Sequence, residues 1–160
     1  VYEVIGWKLR WDDTAVSIRE RDADGRWFGA VPELLAQKRG AEAEALIPRI
    51  DKAAKSYPYP DEYRAWPGPN SNTFTAWITR EVPELRADLP PTAIGKDYLG
   101  NSVFAAAPSG SGGQFSLLGI LGLTVSTVEG LELNLLGLTF GLDPWPPALK
   151  LPLLGRLGAT

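Results

Sequence analysis

Hydrophobic and polar residues alternate at the start of the chain. Val1, Ile5, Trp7, Leu9 and Trp11 share one parity, and Lys8 and Arg10 take the other. That period of two predicts a half-buried strand over residues 1–11. Asp12-Asp13 supplies a turn, and Thr14 to Glu20 returns with Val16 and Ile18 facing inwards. Asp22-Ala23-Asp24-Gly25 reads as a second turn, so the opening is a hairpin.

The period then lengthens. Pro32 suits the first position of a short helix carrying Leu34 and Leu35, stopped by Gly40. Leu46, Ile47, Ile50, Ala53 and Ala54 fall on one face of a helix over 41–56, with Pro48 restricting where its first turn begins. Tyr57-Pro58-Tyr59-Pro60 ends it, and an extended segment runs through Tyr63 and Trp66 to Pro69. Phe74, Trp77, Ile78 and Val82 mark a third helix, closed by Pro83.

Beyond residue 98 no helical pattern is left. FSLLGILGLTV (115–125) and LELNLLGLTFGL (131–142) are glycine-studded apolar segments separated by Ser126 to Gly130. They predict an antiparallel hairpin turning near Glu129-Gly130. Both fall short of the about 20 apolar residues that a spanning helix needs, and recurrent glycine disfavours helix. Asp143-Pro-Trp-Pro-Pro and Leu151-Pro-Leu-Leu predict an extended tail laid over the domain. The pattern adds up to an α+β fold: a mixed or antiparallel sheet with about three helices packed on it.

Charge sharpens the division. Of the 35 charged residues only Glu129, Glu132, Asp143, Lys150 and Arg156 lie in 98–160. A charged part, 1–97, is followed by an apolar Gly/Leu-rich part, 98–160. With 160 residues and no obvious linker they form a single domain, large enough for a core. Net charge is −3, which gives no footprint for nucleic acid. The chain contains no cysteine, histidine or methionine. Disulfides, thiolate metal sites and a cysteine nucleophile are excluded. The commonest general base and metal ligand is also missing, so no metal or cofactor is expected. Opening on strand-like sequence without methionine, and without a signal-peptide pattern, the chain is expected to be a processed form or a fragment.

Candidate chemistry centres on AWPGPNSNTF, residues 65–74. Asn70 or Asn72 can cap the third helix. With Asn70 as cap, Ser71 is the first helical residue, its hydroxyl in a field that stabilises negative charge and beside N–H groups able to hold an oxyanion. A polar cap alone accounts for these residues as well, since Asn, Ser and Thr before an apolar helix are what caps commonly are. Glu3 shares parity with Ile5, Trp7 and Leu9. A carboxylate on a core face needs a partner, with Arg64 and Lys96 the first candidates, unless the strand end is solvated. Tyr57, Tyr59, Tyr63 and Trp66 either line a substrate groove or pack across a surface. Lys96, in Gly95-Lys96-Asp97-Tyr98, is either a site lysine or a surface ion pair. Gly110, Gly112 and Gly113 are too irregular for a phosphate loop.

The string Tyr57-Pro-Tyr-Pro-Asp-Glu-Tyr-Arg-Ala-Trp-Pro-Gly-Pro-Asn-Ser-Asn-Thr-Phe-Thr-Ala-Trp-Ile78, with Leu89-Pro-Pro-Thr-Ala-Ile-Gly-Lys-Asp-Tyr-Leu99, resembles the bacterial family called domain of unknown function 3750 (DUF3750). The opening Val-Tyr-Glu-Val-Ile-Gly-Trp and the closing Gly-Leu-Glu-Leu-Asn-Leu-Leu-Gly-Leu-Thr-Phe-Gly are similar to it as well. The resemblance implies an additional N-terminal segment with an apolar stretch, and so attachment to a membrane in the bacterial envelope. It also implies a histidine strand ahead of residues 1–10. More remotely, that order is similar to circularly permuted papain-like hydrolases and acyltransferases, which implies a truncated permuted papain-like domain. On that likeness Ser71 takes the nucleophile position, Glu3 orients the histidine, and Asn70 and Asn72 flank the nucleophile. Tyr59, Tyr63, Trp66 and Lys96 are the candidate binding residues. This sequence has neither the histidine nor the cysteine those enzymes use. Two functions stay open: action on an amide or ester through Ser71, or a non-catalytic module that binds a lipid surface or a partner through 115–142. A serine without a base is a weak nucleophile, so the chain alone is expected to be catalytically silent.

Overall fold

The computed structural model describes residues 1–22, 25–26 and 29–158. The expected turn at 22–25 lies partly outside these residues. Strands β1 (Tyr2–Val4) and β2 (Val16–Ile18) form the opening antiparallel hairpin, with Glu3 opposite Ser17. β1 is far shorter than the alternation predicts. At Gly6 the chain turns into a 3₁₀ helix, Gly6–Arg10. A Cβ at Gly6 would lie 2.4 Å from the Tyr63 ring, so that ring packs where a side chain would continue the strand. The predicted inward face is also reversed. Val4 and Ser17 are buried, while Ile18, Trp7 and Trp11 are exposed.

Two α-helices follow among the described residues. α1 spans Gly40–Lys55 and α2 spans Ser71–Glu81. The helix expected after Pro32 does not form. Leu34 and Leu35 are exposed and have no face to cover, and Gly40 opens α1 rather than ending a helix. Pro48 sits inside α1, where it has no N–H to bond four residues back. Leu46, Ala53, Ala54, Tyr57, Phe74, Ile78 and Val82 join Val4 and Ala15 in the main apolar core, so the helices pack on each other and on β1. A second 3₁₀ turn, Pro83–Leu85, ends α2.

The rest is a seven-stranded antiparallel meander. Its strands are β3 (Phe104–Ala106), β4 (Gly112–Leu117), β5 (Leu121–Ser126), β6 (Leu131–Leu135), β7 (Leu138–Pro144), β8 (Pro147–Leu151) and β9 (Gly155–Gly158), in sheet order as in chain order. Each expected strand of the apolar segments is therefore itself a hairpin, with turns after Leu117 and Leu135. Glu129-Gly130 lies in the connection from β5 to β6. The expected tail continues the sheet as β8 and β9.

The two faces of this sheet are inverted relative to an ordinary core. Across one face run Phe104, Phe115, Leu123, Leu133 and Phe140 in register, and beside them Val125, Leu131, Leu142, Leu149 and Leu157. With Leu117, Leu121 and Leu135, eleven of these side chains are each between 40% and 57% exposed, and Phe104 more so. The opposite face carries Gln114, Thr124, Glu132 and Lys150, with Ser116, Asn134 and Thr139, all buried. What covers the polar face is the irregular segment 82–103. It brings Asp88, Lys96 and Asp97 onto the strands.

Candidate functional site

Asn70 caps α2. Its Oδ1 accepts from the N–H groups of Asn72 (2.9 Å) and Thr73 (3.1 Å), while Thr73 Oγ1 accepts from the Asn70 N–H at 3.0 Å. The capping box thus closes with threonine in the place usually held by Glu or Gln. Asn70 Nδ2 donates to the carbonyls of Ala65 and Ile94, Asn72 Nδ2 to Ile94, and Thr73 Oγ1 to Gly95. Gly95 has φ 98° and would drive a Cβ to 2.3 Å from the Asn70 amide, so only glycine lets segment 94–95 close over the cap. Asn70 and Asn72 therefore hold the helix start to segment 82–103. They do not face the Ser71 hydroxyl.

Ser71 is the first residue of α2, exposed at the edge of a cavity of about 330 Å³ that Glu3 and Tyr63 also line. The structure thus brings Ser71, Glu3 and Tyr63 together at one cavity. Ser71 Oγ donates to the Val4 carbonyl at 3.2 Å, with Tyr63 Oη 3.5 Å away. Glu3 is half-buried, and its two oxygens are taken by Arg19 (3.0 Å) and Arg21 (2.8 Å) rather than by Arg64 or Lys96. Those arginines stand one and three residues beyond β2, so pairing across the hairpin selects them. No base reaches Ser71 among the described residues. A larger cavity of about 600 Å³, lined by Trp7, Lys8 and Trp11, opens beside the same hairpin. Its lysine is already engaged by Asp12 at 2.8 Å and by the carbonyls of Thr14 and Val16.

The remaining candidates lie elsewhere. Trp66 is half exposed, and its Nε1 donates to the Leu136 carbonyl at 2.8 Å, at the turn between β6 and β7. Tyr59 lines a third cavity with Tyr57, Trp77, Arg80 and Tyr98. Lys96 is neither a site lysine beside Ser71 nor a surface ion pair. It is 1% exposed, bonded to Glu132 and, at 3.3 Å, to the Leu89 carbonyl. Glu132 also meets Lys150 at 3.1 Å, and Lys150 meets Asp88 at 2.8 Å. Burial pulls the Lys150 ammonium down, and the Glu132 and Asp88 carboxylates more than offset it, so Lys150 titrates above the ordinary lysine value. Asp97 is held by Gln114, Asn134 and Thr139. Burial raises its pKa, although Lys96 and Arg80 oppose the shift.

Two features escaped the sequence. Arg80 is three residues after Trp77, and that spacing puts it on the inward stripe of α2. The hairpin tips were hidden because a leucine fills the position that asparagine usually takes in such turns. Leu118 (φ 52°) precedes Gly119 (φ 72°), Leu136 (φ 56°) precedes Gly137 (φ 84°), and Leu153 has φ 68°. Gly137 admits no other residue: its Cβ would lie 2.9 Å from Trp66 Nε1. All three tips are at the same end of the meander, and their leucines are 52%, 65% and 80% exposed.

Among the described residues no cluster of three acidic side chains could hold a metal ion, and no helix is long and apolar enough to cross a membrane. A family model described as a protein of unknown function, DUF3750, matches residues 1–98. No curated protein and no solved structure matches the chain. The matched stretch ends at Tyr98, so the apolar segments from 115 onwards lie beyond it.

Proposed function

The chain belongs to the DUF3750 family, and from that premise we propose that it is a non-catalytic module that docks on a lipid surface through the leucine face and hairpin tips of its large sheet. The observation that carries this reading is leucine in the left-handed conformation at three tips. That conformation costs an ordinary L-residue about 1–2 kcal/mol, and asparagine or glycine avoids most of the cost. Water also favours either of them over leucine. Neither folding nor solubility accounts for Leu118, Leu136 and Leu153; an apolar partner does. The adjoining face carries no charged side chain among the described residues, and its exposed leucines, valine and phenylalanines run unbroken across the strands, the kind of contiguous apolar patch that marks an interaction surface. Trp66, bonded to the β6–β7 tip, has the amphipathic ring that suits the boundary between lipid and water. With a net charge of −3, attraction to anionic headgroups contributes little, so the docking is apolar.

Flotation with phosphatidylcholine vesicles tests this. The chain is expected to float, and to keep floating in high salt. In the variant Leu118→Asn/Leu136→Asn/Leu153→Asn the exposed halves of three leucines are lost, worth roughly 1 kcal/mol each. Binding should fall about 10²-fold, while the fold becomes more stable because asparagine accepts the left-handed backbone. No flotation on zwitterionic or anionic vesicles, or undiminished binding by the variant, overturns the reading. A dimer that stays off vesicles would make a second copy the occupant.

The meeting of Ser71 and Glu3 in one cavity favours a second reading, hydrolysis or acyl transfer on an amide or ester, with a base supplied from outside the described residues. A serine-reactive phosphonate is expected to leave Ser71 of this chain unlabelled. Labelling, detected by peptide mass, would establish an activated serine.

A further inference from the structure

The third cavity, about 270 Å³, lies between α2 and the tyrosines that follow α1. Its walls are aromatic. Tyr57 and Tyr59 meet edge to face at 5.6 Å between ring centroids, as do Tyr59 and Tyr98, and Trp77 and Phe104 complete the enclosure. Two polar groups in this wall have hydrogen-bonding capacity to spare, the buried Tyr57 hydroxyl and the half-buried Arg80 guanidinium. Tyr57 is 4% exposed, and its hydroxyl makes no hydrogen bond. Such a group costs about 1–3 kcal/mol when left unpaired. Arg80 donates through Nε to the Ala106 carbonyl at 2.9 Å, and through Nη2 to the Lys96 carbonyl and Gln114 Oε1. Nη1 takes no part in these bonds. All three partners are neutral oxygens, and Arg80 makes no ion pair among the described residues. The Asp97 carboxylate reaches it only through the Gln114 amide. Burial accordingly brings the guanidinium down to about 10, with Asp97 and Glu129 offsetting only part of the effect.

We propose that this cavity binds a small organic carboxylate, its flat apolar body held among the tyrosine rings, its anionic end against Arg80 and an acceptor oxygen on the Tyr57 hydroxyl. A half-buried cation whose hydrogen bonds all go to neutral oxygens favours an anion over its neutral isostere, and an aromatic box of this size favours one planar ring. The inference rests on the wall of the helical half and is independent of lipid docking by the sheet.

The probe is 4-hydroxybenzoate, followed by NMR titration of the whole chain with the Trp77 indole N–H as reporter. At roughly half a kcal/mol per heavy atom, a Kd of about 1 mM or tighter is expected. The neutral isostere 4-hydroxybenzamide should bind about 10-fold more weakly. Tyr57→Phe removes the unpaired hydroxyl, so it should fold at least as stably as the parent, yet bind 4-hydroxybenzoate about 5-fold more weakly. The proposal is overturned by absence of saturable binding at about 10 mM, by equal affinity for the amide, or by undiminished affinity in Tyr57→Phe.

Discussion

Tyr57 keeps its proton where a tyrosine in water loses it. Burial raises its pKa above the ordinary 10.0, with the neighbouring phenols Tyr59 and Tyr98 adding to the shift. Above pH 10 the unfolded chain gives up a proton that the folded chain retains, so this residue makes stability fall as pH rises, by at most about 1.4 kcal/mol per pH unit. Arg80 acts in the opposite sense. Its folded value of about 10 lies below the ordinary 12.5, so above pH 10 the folded state sheds its proton first and gains stability. The two effects occupy the same window and oppose each other, and Tyr57→Phe removes the first while leaving the second. Urea denaturation at pH 9, 10 and 11 is expected to show the variant's advantage widening with each step; a constant difference would mean that Tyr57 is not shielded. Single residues were legible in the sequence where one bond decides them. A cap at Asn70 or Asn72 followed from the apolar spacing that begins at Phe74, and the structure puts it at Asn70, with Ser71 as first helical residue. Glu3 was not legible, because its partners Arg19 and Arg21 depend on hairpin register and on a strand that Tyr63 cuts short at Gly6.

At the scale of elements, α1, α2 and the opening hairpin were readable because each has a period and an end signal. The apolar segments were read with half their strands missing. Each is about twice the usual strand length, and its internal Leu-Gly is a turn rather than a helix breaker. Nor did the pattern show which face of the meander is inside. Leucines alternate with Thr, Glu, Asn and Lys, and in most sheets the leucines would be buried. Segment 82–103 decides the matter by offering Lys96, Asp97 and Asp88 to the polar face. The packing of that segment on the sheet is held by an ion pair with both members almost wholly buried. Lys96→Met leaves Glu132 with Lys150 alone and is expected to cost about 3–5 kcal/mol, while Lys96→Met/Glu132→Gln restores most of the loss. Chemical denaturation of the three proteins measures this, and a single variant within about 1 kcal/mol of the parent would show that the pair is dispensable.

For the molecule as a whole, the meander has a consequence in the order of synthesis. Every strand from β4 to β9 pairs with the one made just before it, through a short connection. A hairpin closes in about 1–10 μs, whereas the ribosome adds about 5–20 residues per second. Each strand can therefore be seated long before the next has been made. Lys96 has already been made when Glu132 emerges, and Lys150 arrives last to take the second oxygen. The carboxylate never waits alone for its cation, and the leucine face widens one strand at a time while the chain is still growing.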